Sequence, residues 1–167
     1  RYGQEFDPEN QVLVTVGASE AIAAAMIGLV EPGTEVIVIE PYFDTYAPNI
    51  AMAGAHRVSV PLVRDGRGFA LDADAVRAAI TPRTRAMIVN SPHNPTGMVL
   101  TDDECGALAE VAVEADLLVI SDEVYERLTF DGHTHRPLAT YPGMAERTLT
   151  ISSAAKMFNC TGWKIGW

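Results

Sequence analysis

Lys156 stands in Ser152-Ser153-Ala154-Ala155-Lys156, a few residues before Thr161-Gly162-Trp163-Lys164-Ile165-Gly166-Trp167. A lysine amine that its neighbours hold partly neutral can attack a carbonyl carbon and act as a covalent catalyst. Asp122 and Tyr125 stand three residues apart in Asp122-Glu123-Val124-Tyr125, after an apolar run. That spacing offers a carboxylate that stabilises a nearby cation, together with a phenol that donates a hydrogen bond. Asn94-Pro95-Thr96-Gly97 follows another apolar run. It reads either as a plain turn or as an amide presented at the carboxyl edge of a sheet, where α/β proteins place ligands. Gly17-Ala18-Ser19 precedes an alanine-rich helical pattern. Either Ser19 is an ordinary N-cap, or the first free N–H groups and the positive end of the helix face an anion. In Pro41-Tyr42-Phe43-Asp44-Thr45-Tyr46, Phe43 and Tyr42 are either core aromatics or a flat face for a ligand ring.

These residues need a scaffold, and the hydrophobic pattern supplies one. Short runs rich in Val, Ile and Leu alternate with longer helical patterns, which predicts a mostly parallel sheet with crossover helices. The expected strands are Glu35–Ile39, His56–Pro61, Arg85–Asn90, Leu117–Ser121 and Arg147–Ile151. Their near-continuous apolar character fits strands covered on both faces. The expected helices are Ser19–Val30, Thr45–Ala53, Asp72–Ile80 and Thr101–Ala115. Thr101 and Glu104 have capping-box spacing, and Pro32-Gly33 stops the first helix. Val63–Gly68 reads as a polar turn.

Composition narrows the function classes. The 167 residues are 48% hydrophobic and 20% charged, which fits one folded domain rather than a disordered chain. Twelve basic against 22 acidic residues give a formal net charge of −10, with no basic cluster, so neither nucleic acid nor an anionic membrane is an expected partner. The longest apolar stretch, Ala21 to Val30, is too short to span a bilayer. Cys105 and Cys160 make no disulfide framework and read as packing residues; a cytoplasmic location is the expectation. His133 and His135 form an H-x-H on a glycine-containing loop, yet no nearby acidic or cysteine partner completes a convincing metal site, so none is expected. His93 and Glu123 read as structural neighbours of the chemistry-bearing residues.

In their order and spacing, the Asn94, Asp122 and Lys156 blocks resemble the pyridoxal-phosphate site of the class I/II aminotransferases of fold type I. The likeness extends over nearly all of the chain. It implies a three-layer α/β/α sandwich with a mostly parallel sheet, the large cofactor-binding domain of that fold. Members of the family are more than twice this length, and the chain begins with Arg1 and stops inside a motif. Residues 1–167 are therefore expected to be the central part of that domain, with an N-terminal segment and a C-terminal small domain outside them. The implied activity is ping-pong transfer of an amino group from an amino acid to a 2-oxo acid, in a full-length homodimer.

The resemblance also implies residue roles. Lys156 would bond to pyridoxal 5'-phosphate and later shuttle a proton. Asp122 would favour the protonated ring nitrogen, which draws electrons from the substrate. Asn94 and Tyr125 would donate to the ring oxygen, and Phe43 would cover the ring, with Tyr42 second. Gly17, Ala18, Ser19, Ser153 and Lys164 would hold the phosphate. Many relatives carry arginine where Lys164 stands; lysine keeps the charge without the bidentate fork. Lysine there also occurs among kynurenine-aminotransferase-like relatives, and the chain resembles the kynurenine and succinyldiaminopimelate aminotransferases in particular. The same blocks would serve a carbon–sulfur β-lyase, and the lysine also persists in aminotransferase-like ligand-sensing domains of transcription regulators.

Overall fold

The apolar runs become the five strands of one parallel sheet. The computed structural model describes residues 2–64, 66 and 68–167. Along the chain it runs β1 (Thr15–Val16), α1 (Gly17–Leu29), β2 (Glu35–Glu40), α2 (Tyr46–Met52), β3 (His56–Pro61), β4 (Val63–Arg64) and β5 (Phe69–Ala70). It continues through α3 (Ala73–Ala78), β6 (Thr84–Asn90), α4 (Asp102–Glu114), β7 (Leu118–Asp122), β8 (Thr148–Ile151), α5 (Ala154–Met157) and β9 (Ile165–Gly166). The central sheet has the order β3-β2-β6-β7-β8, every pair parallel.

Side chains alternate between the two faces of this sheet, as the pleat requires. Val36, Val38, Ala86, Ile88, Ile120 and Ile151 pack with Ile22 and Met26 of α1 and Ile50 of α2. Ile37, Ile39, Met87, Val89 and Val119 pack with Val76 of α3 and Leu108 and Val111 of α4. Each face is therefore covered by helices, giving the three-layer α/β/α sandwich. Continuous apolar runs suit it because both faces are dry.

Local chemistry sets the helix ends. The Thr101 hydroxyl accepts from the Glu104 N–H at 3.2 Å, and the Glu104 carboxylate accepts from the Thr101 N–H at 2.8 Å, completing the capping box. Asp72 caps α3 by accepting from the N–H groups of Asp74 and Ala75. The first helix departs from expectation. It starts at Gly17 with Val16 at the cap position, so Ser19 is its third residue and not an N-cap. Gly17, at φ +76°, makes this early turn possible.

A tertiary pairing holds that turn in place. β1 and β9 form a two-residue antiparallel pair, with Thr15 opposite Gly166 and Val16 opposite Ile165. A Cβ on Gly166 would lie 2.4 Å from the Gly17 carbonyl carbon and 2.6 Å from the Ala18 nitrogen. Only glycine allows the two backbones to approach this closely. β4 and β5 pair across the expected polar turn, of which Asp65 and Arg67 lie outside the described residues.

Candidate active site

The carboxyl ends of β6, β7 and β8 open toward the start of α1, and the cleft between them is a cavity of about 240 Å³. Gly17, Ala18, Ser19, Phe43, Asn94, Asp122, Tyr125, Ser153, Lys156 and Lys164 all line it. All but one of the residues expected at a site are thus brought to one place, from positions as far apart as Gly17 and Lys164. Tyr42 lies outside this lining. Its ring stacks on Tyr46 at 6.3 Å between centroids, with the Arg57 guanidinium 5.4 Å from its centre. Of these two aromatics, Phe43 is the one that borders the cavity.

Asp122, the last residue of β7, is only 3% exposed. The Tyr46 hydroxyl donates to its Oδ2 at 2.7 Å, and the Val124 N–H donates to Oδ1 at 3.3 Å. Burial raises the Asp122 pKa, and these two donors pull it partly back. A carboxylate in this state gains strongly from a cationic partner in the cavity. The Tyr46 phenol is itself pushed up by burial and by the Asp122 charge, so it remains a donor. Burial and the same charge raise the Tyr125 phenol as well.

Asn94 follows β6 across Ser91-Pro92-His93, and its peptide bond to Pro95 is cis. Its backbone N–H donates to Asn90 Oδ1 at 2.7 Å. Lys156 lies on the short α5, with its Nζ 5.9 Å from the centre of the Tyr125 ring. Lys164 follows a 3₁₀ turn, Thr161–Trp163, and adopts a left-handed conformation at φ +55°. Left-handed non-glycine residues are sparse and cluster at functional sites.

In the same lining, α1 begins without a side-chain cap. Its first N–H groups and positive dipole end therefore suit an anion. Ser153 and Lys164 add a hydroxyl and an ammonium to the same lining. The lining thus combines free donors and a cation with a buried carboxylate. An aromatic face and an amine lie alongside.

Several contributors escaped the sequence reading. Tyr46 stands three residues after Phe43 in a noted aromatic run, yet its partner Asp122 is 76 positions away. Asn90 is a polar end on an apolar strand, which is the one local hint of a second role. Val16, Ile22, Val124 and Ala155 add to the apolar lining. His135 has a partner that the sequence did not single out: its Nε2 lies 2.7 Å from Glu123 Oε2 in a buried pair, and Ser121 donates to the other Glu123 oxygen at 2.9 Å. This pair ties the loop after Tyr125 back to β7. His93 Nδ1 lies 2.8 Å from the Thr96 hydroxyl and braces its own loop. Cys105 is buried, its thiol pushed up to about 12 by desolvation. Among the described residues, no cluster of three or more His, Cys, Asp or Glu could hold a metal ion.

Comparison with known proteins agrees with this architecture. The chain is 72% identical over 166 residues to a probable N-succinyldiaminopimelate aminotransferase of Mycobacterium tuberculosis, covering 99% of this chain and 42% of that protein. It is 45% identical over 174 residues to kynurenine–oxoglutarate transaminase 3 of Mus musculus, covering 99% of this chain and 38% of the relative. The solved structure of the Mycobacterium tuberculosis N-succinyldiaminopimelate aminotransferase superposes with a TM-score of 0.98, over 99% of this chain and 43% of that one. An aromatic aminotransferase from Pyrococcus horikoshii superposes with a TM-score of 0.94 at 41% identity, over 98% of this chain and 44% of that one. The chain thus spans less than half the length of these relatives. Residues 1–167 match the family of aminotransferases class I and II over their whole length, and the chain belongs to that family.

Proposed function

We propose that the protein carrying this chain is a pyridoxal-5'-phosphate-dependent aminotransferase, and that residues 1–167 form the central part of its large cofactor-binding domain. The observation that carries the reading is the meeting, in one cavity, of the Lys156 amine, the buried Asp122 carboxylate and the uncapped start of α1. The residue types in the lining suit such a cofactor. Gly17, Ala18, Ser19, Ser153 and Lys164 would hold the phosphate, Phe43 would cover the ring, and Asn94 and Tyr125 would donate to the ring oxygen.

When bound, the cofactor supplies an electron-withdrawing ring that accepts the electron pair of the substrate Cα–H bond. The chain's part is to tune and position. Asp122 holds a proton at the ring nitrogen, because its negative charge in a dry site favours the cationic form. Tyr46 keeps that carboxylate oriented. Lys156 Nζ would shuttle a proton between the substrate α-carbon and the bound cofactor, in one direction with the amino donor and in the other with the 2-oxo acid, the work of a positioned general base and acid.

The 72% identity to the mycobacterial relative, against 45% to the kynurenine transaminase, favours N-succinyldiaminopimelate as the amino-acid partner and a 2-oxo acid as the other. The same reading takes the full-length protein as a cytoplasmic homodimer. No helix among the described residues is long and apolar enough to cross a membrane. Exposed Leu13, Val14, Phe158 and Trp163 offer apolar surface suited to a protein contact.

The test uses the full-length protein. Reconstitution with pyridoxal 5'-phosphate should produce visible absorption, and borohydride reduction followed by peptide mapping should place the cofactor on Lys156. A donor panel with 2-oxoglutarate should show amino transfer from N-succinyldiaminopimelate. An adduct on Lys164, or no transfer from any donor, would overturn the assignment.

A further inference from the structure

Asn90 ends β6 directly opposite Asp122 in the parallel register with β7. Its side chain is buried and borders the cavity. The amide is used in both directions: Nδ2 donates to the Asp122 backbone carbonyl at 2.8 Å, and Oδ1 accepts from the Asn94 backbone N–H at 2.7 Å. One side chain thus joins the strand end that bears the carboxylate to the loop that bears the second amide.

The loop has few other ways to be held. Pro92 and Pro95 carry no N–H, so each removes a donor from the segment. His93 and Gly97 tie the loop to itself, through His93 N–H to Met98 O and Gly97 N–H to His93 O, both at 2.8 Å. The Ser91 N–H reaches the Asp122 carbonyl at 3.3 Å, and beyond Pro92 the Asn94 N–H reaches back to the end of β6, where Asn90 receives it. Asparagine carries a donor and an acceptor on one short planar group, a combination that ionised aspartate lacks.

We infer that Asn90 is a positioning residue that couples Asn94 to Asp122 and sets the two at a fixed separation before a cofactor arrives. Nothing in the proposed chemistry requires Asn90 to touch the reacting atoms. Its contribution is to transfer the rigidity of the β6–β7 pair to a loop residue, as a precise site requires. The role toward the cofactor rests on the functional reading above; the tether itself is a property of the cofactor-free chain.

The experiment compares full-length wild type, Asn90→Ala, Asn90→Asp, Asn94→Ala and the double variant Asn90→Ala/Asn94→Ala. Hydrogen exchange of the cofactor-free protein reads the tether directly. The Asn94 amide should be protected in wild type, should exchange about tenfold or more faster in Asn90→Ala, and should stay protected in Asn90→Asp, which keeps the acceptor. Fast exchange in wild type, or loss of protection in Asn90→Asp equal to that in Asn90→Ala, overturns the tether even if one variant folds poorly. Titration with pyridoxal 5'-phosphate reads the coupling. Asn90→Ala should bind about tenfold more weakly, a step of about 1.4 kcal/mol. The double variant should bind no worse than Asn94→Ala, since residues acting through one another are non-additive. If wild type binds and Asn94→Ala weakens binding, but the two effects simply multiply, the inference fails and the functional reading survives. If wild type binds no cofactor, the functional reading fails and the positioning role with it, whatever the exchange shows.

Discussion

Tyr46→Phe removes one oxygen from a buried hydrogen bond and leaves the aromatic packing against Phe43 and Tyr42 in place. The lost group is the hydroxyl that donates to Asp122 Oδ2 at 2.7 Å. With Asp122 only 3% exposed, little water can take over that bond. A hydrogen bond to a charged group contributes about 1.5–3 kcal/mol, whereas one to a neutral group contributes about 1 kcal/mol. The expected loss therefore depends on whether Asp122 is ionised, and this makes the prediction sharp. Burial already holds the folded-state pKa of Asp122 above its ordinary 3.8, and the Tyr46 hydroxyl is the largest influence opposing it. An acid with a raised folded pKa binds its proton more tightly in the folded state, so folding stability falls as pH climbs from the unfolded value through the folded one. Tyr46→Phe raises the folded value further and deepens that fall. Urea unfolding of the cofactor-free protein at dilute concentration, from pH 4 to pH 8, measures it. Near pH 4 the variant should lose about 1 kcal/mol, growing to roughly 1.5–3 kcal/mol at pH 8. A loss that is the same at both ends, or one below about 0.5 kcal/mol throughout as for an ordinary surface change, would refute the reasoning.

Two further outcomes follow from the phosphate end. Gly166→Ala should push β9 away from the start of α1, because its Cβ would meet backbone atoms at 2.4–2.8 Å; overpacking costs about 1–3 kcal/mol. Thermal unfolding and cofactor titration should both show the loss, and wild-type values in both would mean the close approach is not needed. Lys164→Ala should raise the dissociation constant for pyridoxal 5'-phosphate roughly 10- to 150-fold, the equivalent of 1.5–3 kcal/mol for a charged hydrogen bond. Titration in low-phosphate buffer checks it, and unchanged affinity removes Lys164 from the site.

Much of the scaffold could be read from local pattern. Strands covered on both faces need continuous apolar runs, so Glu35–Glu40 and Thr84–Asn90 announce themselves whatever surrounds them. The capping box at Thr101 and Glu104 is likewise a short-range contract between residues three apart. The candidate site residues Asp122, Asn94 and Lys156 stand at or soon after the carboxyl ends of such runs, but their proposed roles come from the resemblance of their blocks to a known family and not from local pattern.

What local pattern could not supply were the partners. Ser19 has the side chain of an N-cap, yet the helix starts at Gly17, because a strand pair formed with Gly166, almost 150 residues away, determines where the backbone turns. His135 and Glu123 read separately as a loop histidine and a bland acid, and become one buried pair only when the loop after Tyr125 folds back. Tyr46 and Asn90 carry no sign of Asp122 in their own neighbourhoods. Residue types and spacing determined which groups could do chemistry and which strand ends would present them. The tertiary structure decided which groups hold those in place, because a hydrogen bond between distant segments depends on sheet order and register, and neither is written in the residues on either side of it.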